Sequence, residues 1–111
     1  MNNQTIIRKP LLTAVLGARQ VTSVEIKEIT FSPGQKAGLH LHPCPVTGYI
    51  AAGTAIMQVK GQEPLILNTG DAFYEPADVH IGEFSNYSAT EPMIFIAFYL
   101  LNGDQELIKM L

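Results

Sequence analysis

The stretch GQKAGLHLHPCPVTGYIAAG, from Gly34 to Gly53, carries two histidines one residue apart. Side chains at positions i and i+2 of an extended strand point to the same face, roughly 6–7 Å apart. His40 and His42 can therefore converge on one small cation. The only other histidine, His80, ends a second turn-rich stretch, GDAFYEPADVH. Two interpretations are open: the three histidines meet at one metal ion, or they are ordinary polar residues on a β surface.

Composition narrows the class of protein. The chain has 111 residues, of which 47% are hydrophobic and 15% charged, as expected for one compact domain. The net charge is −3, and the seven Lys and Arg residues are scattered without a basic stripe, so we expect no nucleic-acid partner. No segment approaches the ~20 apolar residues of a membrane span, so we expect no membrane partner.

The N-terminal segment and the cysteine content bear on location. Cys44 is the only cysteine, which excludes an internal disulfide and fits a reducing compartment, so we expect a cytoplasmic protein. Arg8 and Lys9 precede a short apolar run, residues 11–18, as in a signal peptide. Pro10 and Thr13 weaken that run, and an edge strand is the favoured interpretation.

The remaining chain predicts many short strands. Residues 20–31 alternate apolar and polar side chains, and Gly- and Pro-rich turns recur every eight to twelve residues. The run PMIFIAFYLL, residues 92–101, predicts a strand buried on both faces. Asp104 can cap one short helical run, residues 105–111. The tally is roughly eight to ten strands, which indicates an all-β sandwich or small barrel.

Two spacings resemble the motifs of the cupins, a family of small jelly-roll β-barrels. The first motif is matched by Gly34, five residues, His40-Leu41-His42, three residues, position 46, six residues and Gly53. Position 46 is Val46, where the family most often has its carboxylate ligand. The first motif is therefore complete except for one ligand.

The second cupin motif is matched with a shortened turn. Gly70 and Pro76 have the family spacing, Asp78 replaces a glycine, His80 falls one residue early and Asn86 falls late. The resemblance covers residues 30–100 and is greatest to short, single-domain bacterial cupins. It implies that residues 1–111 form one all-β jelly-roll barrel with at most one short C-terminal helix.

The resemblance also implies a metal site. Its ligands would be His40, His42 and His80, holding one divalent ion such as Zn, Fe, Ni, Mn or Cu. Three protein ligands leave positions open for water or substrate. Without a carboxylate at Val46 the site would be more cationic, which favours a small anionic organic ligand. The alternative is a polar pocket that holds no metal.

Three further residues are candidates for the site. Glu75, next to Pro76, is either a catalytic base or spare ligand, or a surface carboxylate at a strand end. Thr47 either positions a metal-bound water or is an ordinary strand threonine. Cys44 lies between two prolines and is more simply an inert thiol than a soft metal ligand.

Three functions remain open from the sequence. The first is a metalloenzyme that carries out dioxygenation, isomerisation or decarboxylation of a small acid. The second is a non-catalytic module that binds or senses a small ligand or metal. The third is a structural dimer with a vestigial site. The resemblance also implies a homodimer that pairs through the N-terminal strand segment, residues 1–20.

Overall fold

A computed structural model describes residues 4–111 of the chain. These residues form ten strands and no helix, which confirms the all-β prediction. In chain order the strands are β1 (Ser23–Phe31), β2 (Lys36–Ala37), β3 (His40–Leu41), β4 (Val46–Ala52), β5 (Ala55–Val59), β6 (Leu65–Leu67), β7 (Ala72–Glu75), β8 (Ile81–Asn86), β9 (Met93–Leu101) and β10 (Lys109–Met110). None of the described residues belongs to a helix that could cross a membrane.

Two antiparallel sheets enclose the core. One sheet has the strand order β1-β9-β4-β7, and the other has the order β10-β3-β8-β5-β6, with β2 also paired to β8. From β7 to β10 each strand lies in the sheet opposite to the strand before it, and the chain also crosses between the sheets after β1, β3 and β4, as in a jelly roll. Strand β3, which carries His40, lies between β10 and β8 in the second sheet. The predicted jelly-roll fold is confirmed.

Strand β9 shows how the chain builds this core. Met93, Phe95, Ala97 and Tyr99 are buried between the sheets, whereas the alternate residues are half-buried on the outer face. The prediction of a strand buried on both faces is therefore wrong for this chain. Alternating side chains are expected where only one face of an antiparallel sheet meets the core.

The two ends of the chain differ from the prediction. Residues 105–111 form no helix, because so short a run is only marginally stable as a helix and because β10 pairs with the edge of β3 instead. Residues 4–22 form no strand, and residues 1–3 of the predicted N-terminal strand lie outside the described residues. Leu11 and Leu12 lie near Thr47 and Phe98 on the outer face of the first sheet.

Candidate metal centre

His40 is fixed at the inner surface of the second sheet. It lies in the two-residue strand β3, paired with Met110 on one side and Ile81 on the other, and it is 3% exposed. Its Nδ1–H donates to the carbonyl of Gly38 at 2.7 Å. That bond sets the tautomer, so the lone pair of Nε2 points into the interior.

His42 is held in the same way by a distant part of the chain. It lies just past β3, before the Pro43-Cys44-Pro45 connection, and its Nδ1–H donates to the carbonyl of Leu107 at 2.6 Å. The rings of His40 and His42 lie edge to face with centroids 5.0 Å apart. Both imidazoles therefore present Nε2 to the same point, and a hydrogen bond at the other nitrogen is the usual support of a metal-binding histidine.

Glu75 completes the cluster from the opposite sheet. It is the last residue of β7 and is paired across the sheet with Val46. Its Oε2 lies 2.5 Å from Nε2 of His42 and 3.7 Å from Nε2 of His40. The carboxylate missing from position 46 is thus supplied by the residue directly opposite it on the neighbouring strand.

The cluster contains a buried carboxylate, and its negative charge needs a positive partner. Burial disfavours the charged form of Glu75, but interactions with His40 and His42 outweigh burial and hold the pKa of the carboxyl below its usual range. Burial likewise opposes a charge on His40, yet bonds to Glu75 and to the Gly38 carbonyl raise the pKa of its imidazole overall. A carboxylate anion is therefore favoured here together with a positive charge beside it.

When both imidazoles are neutral, no group beside Glu75 in the described part of the chain supplies that positive charge. Its Oε2 is fully buried without a hydrogen-bond donor, and both imidazoles already use their Nδ1–H on backbone carbonyls. Three acceptor atoms then face one another, and an unsatisfied buried acceptor costs about 1–3 kcal/mol or more when charged. A shared proton or a metal cation relieves that cost.

The geometry suits a metal cation. One ligand atom from each of His40, His42 and Glu75 lies within 4.8 Å of the other two. Two ligand atoms at about 2.0–2.2 Å from one ion are at most about 4.4 Å apart, and the distances of 3.7 and 2.5 Å from Oε2 of Glu75 to the two Nε2 atoms lie below that limit. Two imidazoles and one carboxylate are the donors of catalytic zinc sites and of non-haem iron sites, which keep positions open for a further ligand.

The structure does not bring His80 to this cluster. Ile81 pairs with His40 and is fully buried, so the preceding residue points to the outer face, and His80 is exposed. Asp78 has a φ of 62°, the one positive value at a non-glycine among the described residues, and this turn sets the phase of β8. A one-residue shift is enough to move a side chain to the opposite face.

Thr47 and Cys44 also lie away from the cluster atoms. Thr47 follows the buried Val46 and points to the outer face of β4, near Leu11. Cys44 is a fully buried free thiol that belongs to the hydrophobic core, and burial raises its pKa. Of the residues proposed from sequence, the structure therefore brings together His40, His42 and Glu75.

Tyr99 had no role in the sequence analysis. It pairs with Val46 on the side opposite to Glu75, and its ring centroid lies 5.9 Å from that of His42. Burial, helped by the charge of Glu75, raises the pKa of its phenol to about 12, so it remains a neutral hydroxyl. The available sequence signal was its phase in β9, which it shares with Met93, Phe95 and Ala97.

The cluster opens into a cavity of about 390 Å³ between the sheets. Its exposed rim includes Gln35, Lys36 and Met110, and its buried wall includes Phe84 and Phe95. The volume is at the lower end of the roughly 300–1,000 Å³ of small-molecule pockets. The candidate metal centre is thus accessible to a ligand of modest size.

A jelly roll with two histidines and a carboxylate at the inner end of its cavity defines a class, the small β-barrels with a mononuclear candidate metal centre. The chain belongs to the cupin family, since the model described as Cupin domain matches residues 27–100. The resemblance drawn from the two motifs is confirmed. No curated protein matches the chain.

Solved structures share this fold. A cupin-like protein from Thermotoga maritima is 20% identical over 79% of this chain and 64% of its own, with a TM-score of 0.68. DMSP lyase DddQ from Ruegeria pomeroyi is 18% identical over 79% and 43%, with a TM-score of 0.68. Oxalate decarboxylase from Bacillus subtilis, which has Mn(II) centers, is 24% identical over 79% and 24%, with a TM-score of 0.67. The chain thus spans less than two thirds of each, and the likeness concerns the fold.

Proposed function

We propose that this cupin binds one divalent transition metal ion through His40, His42 and Glu75, and that the ion holds a small organic anion in the cavity. The observation that supports it most is the convergence of three buried acceptor atoms without a donor between them. A metal ion there would act as a Lewis acid toward an oxygen of the bound molecule.

Glu75 changes the charge expected of the site. With no carboxylate at position 46, the sequence predicted a centre with the full charge of the ion. A carboxylate ligand from β7 lowers the net charge of a divalent centre to +1, since two neutral imidazoles add none. That charge still favours an anion, and a monoanion would neutralise it.

The chain's own residues have separate tasks in this proposal. Gly38 and Leu107 orient the imidazoles through their carbonyls, and the flanking sheets exclude water from Glu75. Tyr99, a neutral phenol beside His42, can donate a hydrogen bond to an oxygen of the bound molecule. These tasks serve an enzyme and a binding module equally well, so chemistry must be tested apart from binding.

Elemental analysis tests the metal directly. Freshly purified wild type should contain close to one equivalent of a transition metal per chain, and H40A/H42A should contain none. H80A is the matched control, because it removes an imidazole outside the cluster. A wild type without metal after gentle purification and reloading, or a double variant that keeps it, would overturn the proposal.

A second measurement separates an enzyme from a binding module. Iron-loaded protein is mixed with a panel of diols, diketones and small acids while oxygen consumption and product formation are followed. Turnover that disappears in H40A/H42A supports the enzyme. Stoichiometric ligand binding without turnover under any metal supports the module that senses or sequesters a ligand.

We also propose that the protein is a homodimer. β1 is an edge strand of the first sheet, and its outer residues Val24 and Ile26 are more than half exposed. The preceding segment exposes Ile6, Ile7 and Val15. A second copy would cover this apolar edge, and a monomer by light scattering at micromolar concentration would contradict the proposal.

A further inference from the structure

The cavity is divided into a polar end and an apolar end. His40, His42, Glu75 and Tyr99 stand together at the polar end, held by β3, β7 and β9. The apolar end is formed by a cluster of four phenylalanines, Phe31, Phe73, Phe84 and Phe95. A molecule inside the cavity therefore meets charge at one end only, apart from Lys36 at the exposed rim.

The phenylalanine cluster is a packed wall. Phe84 and Phe95 have ring centroids 4.8 Å apart, Phe73 lies 5.2 Å from Phe84, and Phe31 lies 5.5 Å from Phe95. Edge-to-face and tilted contacts at such distances are favourable, so the rings support one another. The apolar end presents preformed ring surface to a ligand rather than loose side chains.

The charges in the cavity are few. Apart from the residues of the candidate metal centre, Lys36 is the single charged side chain among the described residues that line the cavity. Lys36 is exposed at the rim. A second negative charge at the apolar end of a ligand would lie against the buried phenylalanine rings, which is costly. The interior is therefore suited to one negative charge.

We propose, on the basis of the proposed function, that the cavity selects a monoanion with an aromatic or branched apolar body. The anionic oxygen binds at the centre formed by His40, His42 and Glu75, and the apolar body packs on Phe84 and Phe95. Compact dianions are disfavoured, because the +1 centre neutralises only one of their charges and they leave the apolar end unfilled.

Calorimetry with the zinc-loaded protein tests this selectivity. The probes are phenylacetate, acetate and oxalate, which share carboxylate chemistry and differ in apolar area and charge. Phenylacetate should bind at least about tenfold tighter than acetate, since each buried methylene is worth about fourfold. Phenylacetate should also bind tighter than oxalate.

Two cavity-filling variants provide the structural control. A37L narrows the cavity near the rim, and A97L adds volume beside the phenylalanine cluster. Both should keep one zinc per chain and weaken phenylacetate about tenfold while changing acetate less than twofold. A37L alters a half-buried residue, so it keeps the test informative if A97L fails to fold.

The outcomes separate the two proposals. Zinc at one equivalent per chain with oxalate bound as tightly as phenylacetate, or with phenylacetate unaffected by A37L, overturns the ligand class and leaves the metal centre standing. Absence of zinc binding overturns the metal centre, and the ligand class falls with it. Phenylacetate selectivity lost on cavity filling supports both.

Discussion

The two sheets hold their parts of the candidate metal centre in different ways. From the second sheet, His40 and His42 are each fixed by an Nδ1–H bond to a backbone carbonyl, at 2.7 and 2.6 Å. From the first sheet, Glu75 presents an Oε2 that no donor holds. The histidine side is therefore oriented in advance, whereas the carboxylate side depends on a shared proton or a cation for its partner.

Because of this difference, we expect substitution of Glu75 to have the largest effect on zinc affinity. E75Q should weaken zinc binding at least about 100-fold, because loss of one partner of a buried ion pair costs about 3–5 kcal/mol. The metal-free variant should melt close to the wild type, because a hydrogen bond from the amide to a histidine Nε2 offsets the loss of the ionised carboxylate. Zinc titrations and thermal melts with and without metal measure both effects.

Glu28, one of two exposed glutamates of β1, supplies the control for that experiment. E28Q removes the same charge at an exposed site and should change neither zinc affinity nor the metal-free melting temperature. If E75Q binds zinc as tightly as E28Q does, the carboxylate is not a ligand.

The orientation of the His42 ring can be tested by a change at the C-terminal end of the chain. Deletion of residues 107–111 takes away the Leu107 carbonyl together with β10. Loss of such outer support typically costs about 10–100-fold in metal affinity, and we expect a loss in that range. M110A is the matched control, since it leaves that carbonyl in place, and it should retain wild-type affinity. Equal affinities in the two variants would contradict the orienting role of Leu107.

The cross-strand pair of Val46 and Glu75 allows the carboxylate to be moved. Directly opposed residues place their Cβ atoms about 4.5–5.5 Å apart on the same face. V46E/E75V should therefore recover about tenfold, or roughly 1.4 kcal/mol, of the zinc affinity that E75V loses. No recovery would mean that only β7 can direct a carboxylate at the ion. Zinc titration of the two variants side by side gives the answer.

Acidification should distinguish metal-free from metal-loaded protein. The pKa of His40 is raised above its unfolded value of 6.5, so the protonated imidazole stabilises the metal-free fold. That stabilisation is complete below pH 6.5 and is lost as the pH rises through the pKa of the folded state. The lowered pKa of Glu75 gives the opposite sign, with stability present above its unfolded value of 4.5 and lost as pH falls through the folded value.

Metal binding requires deprotonated imidazoles, so zinc affinity should fall by up to about tenfold per pH unit as His40 takes up its proton. Melting temperatures with and without zinc, measured from pH 5 to pH 8, should converge at the acidic end. A zinc-dependent stabilisation that stays constant over that range would contradict histidine ligation.

The sequence was informative where local spacing determines position. The His40-Leu41-His42 spacing predicted two side chains at one site, and the structure brings them together. The position of Glu75 beside Pro76 supported a weaker hypothesis, and its pairing with Val46 became visible only from the register of β4 and β7. Register depends on the whole sheet, which a single motif does not contain.

The sequence was misleading where a tertiary contact or a turn intervenes. The Leu107 carbonyl that orients His42 is 65 residues away and belongs to the backbone, so no side chain marks it. Residues 105–111 have a helical pattern, but the unpaired edge of β3 offered them strand hydrogen bonds. Tyr99 lies in a run that is apolar at every position, so the sequence does not show which side chains face the core. The structure shows that every second residue of β9, including Tyr99, does so.

Substitution of His80 should have the smallest effect on zinc affinity. It therefore contrasts the second motif, which supplies no histidine to the candidate metal centre, with the first, which supplies two. Its backbone carbonyl accepts a hydrogen bond from Lys60 at 2.9 Å, and its exposed side chain follows a turn in which Asp78 has a φ of 62°. H80A should therefore change zinc affinity less than twofold. D78G, which relieves the cost of a positive φ at a non-glycine residue, should leave affinity equally unchanged and raise the melting temperature slightly. Loss of zinc from H80A would mean that β8 reaches the ion in a different phase, and then both the third ligand and the neutralisation of the ion by Glu75 would have to be reassigned.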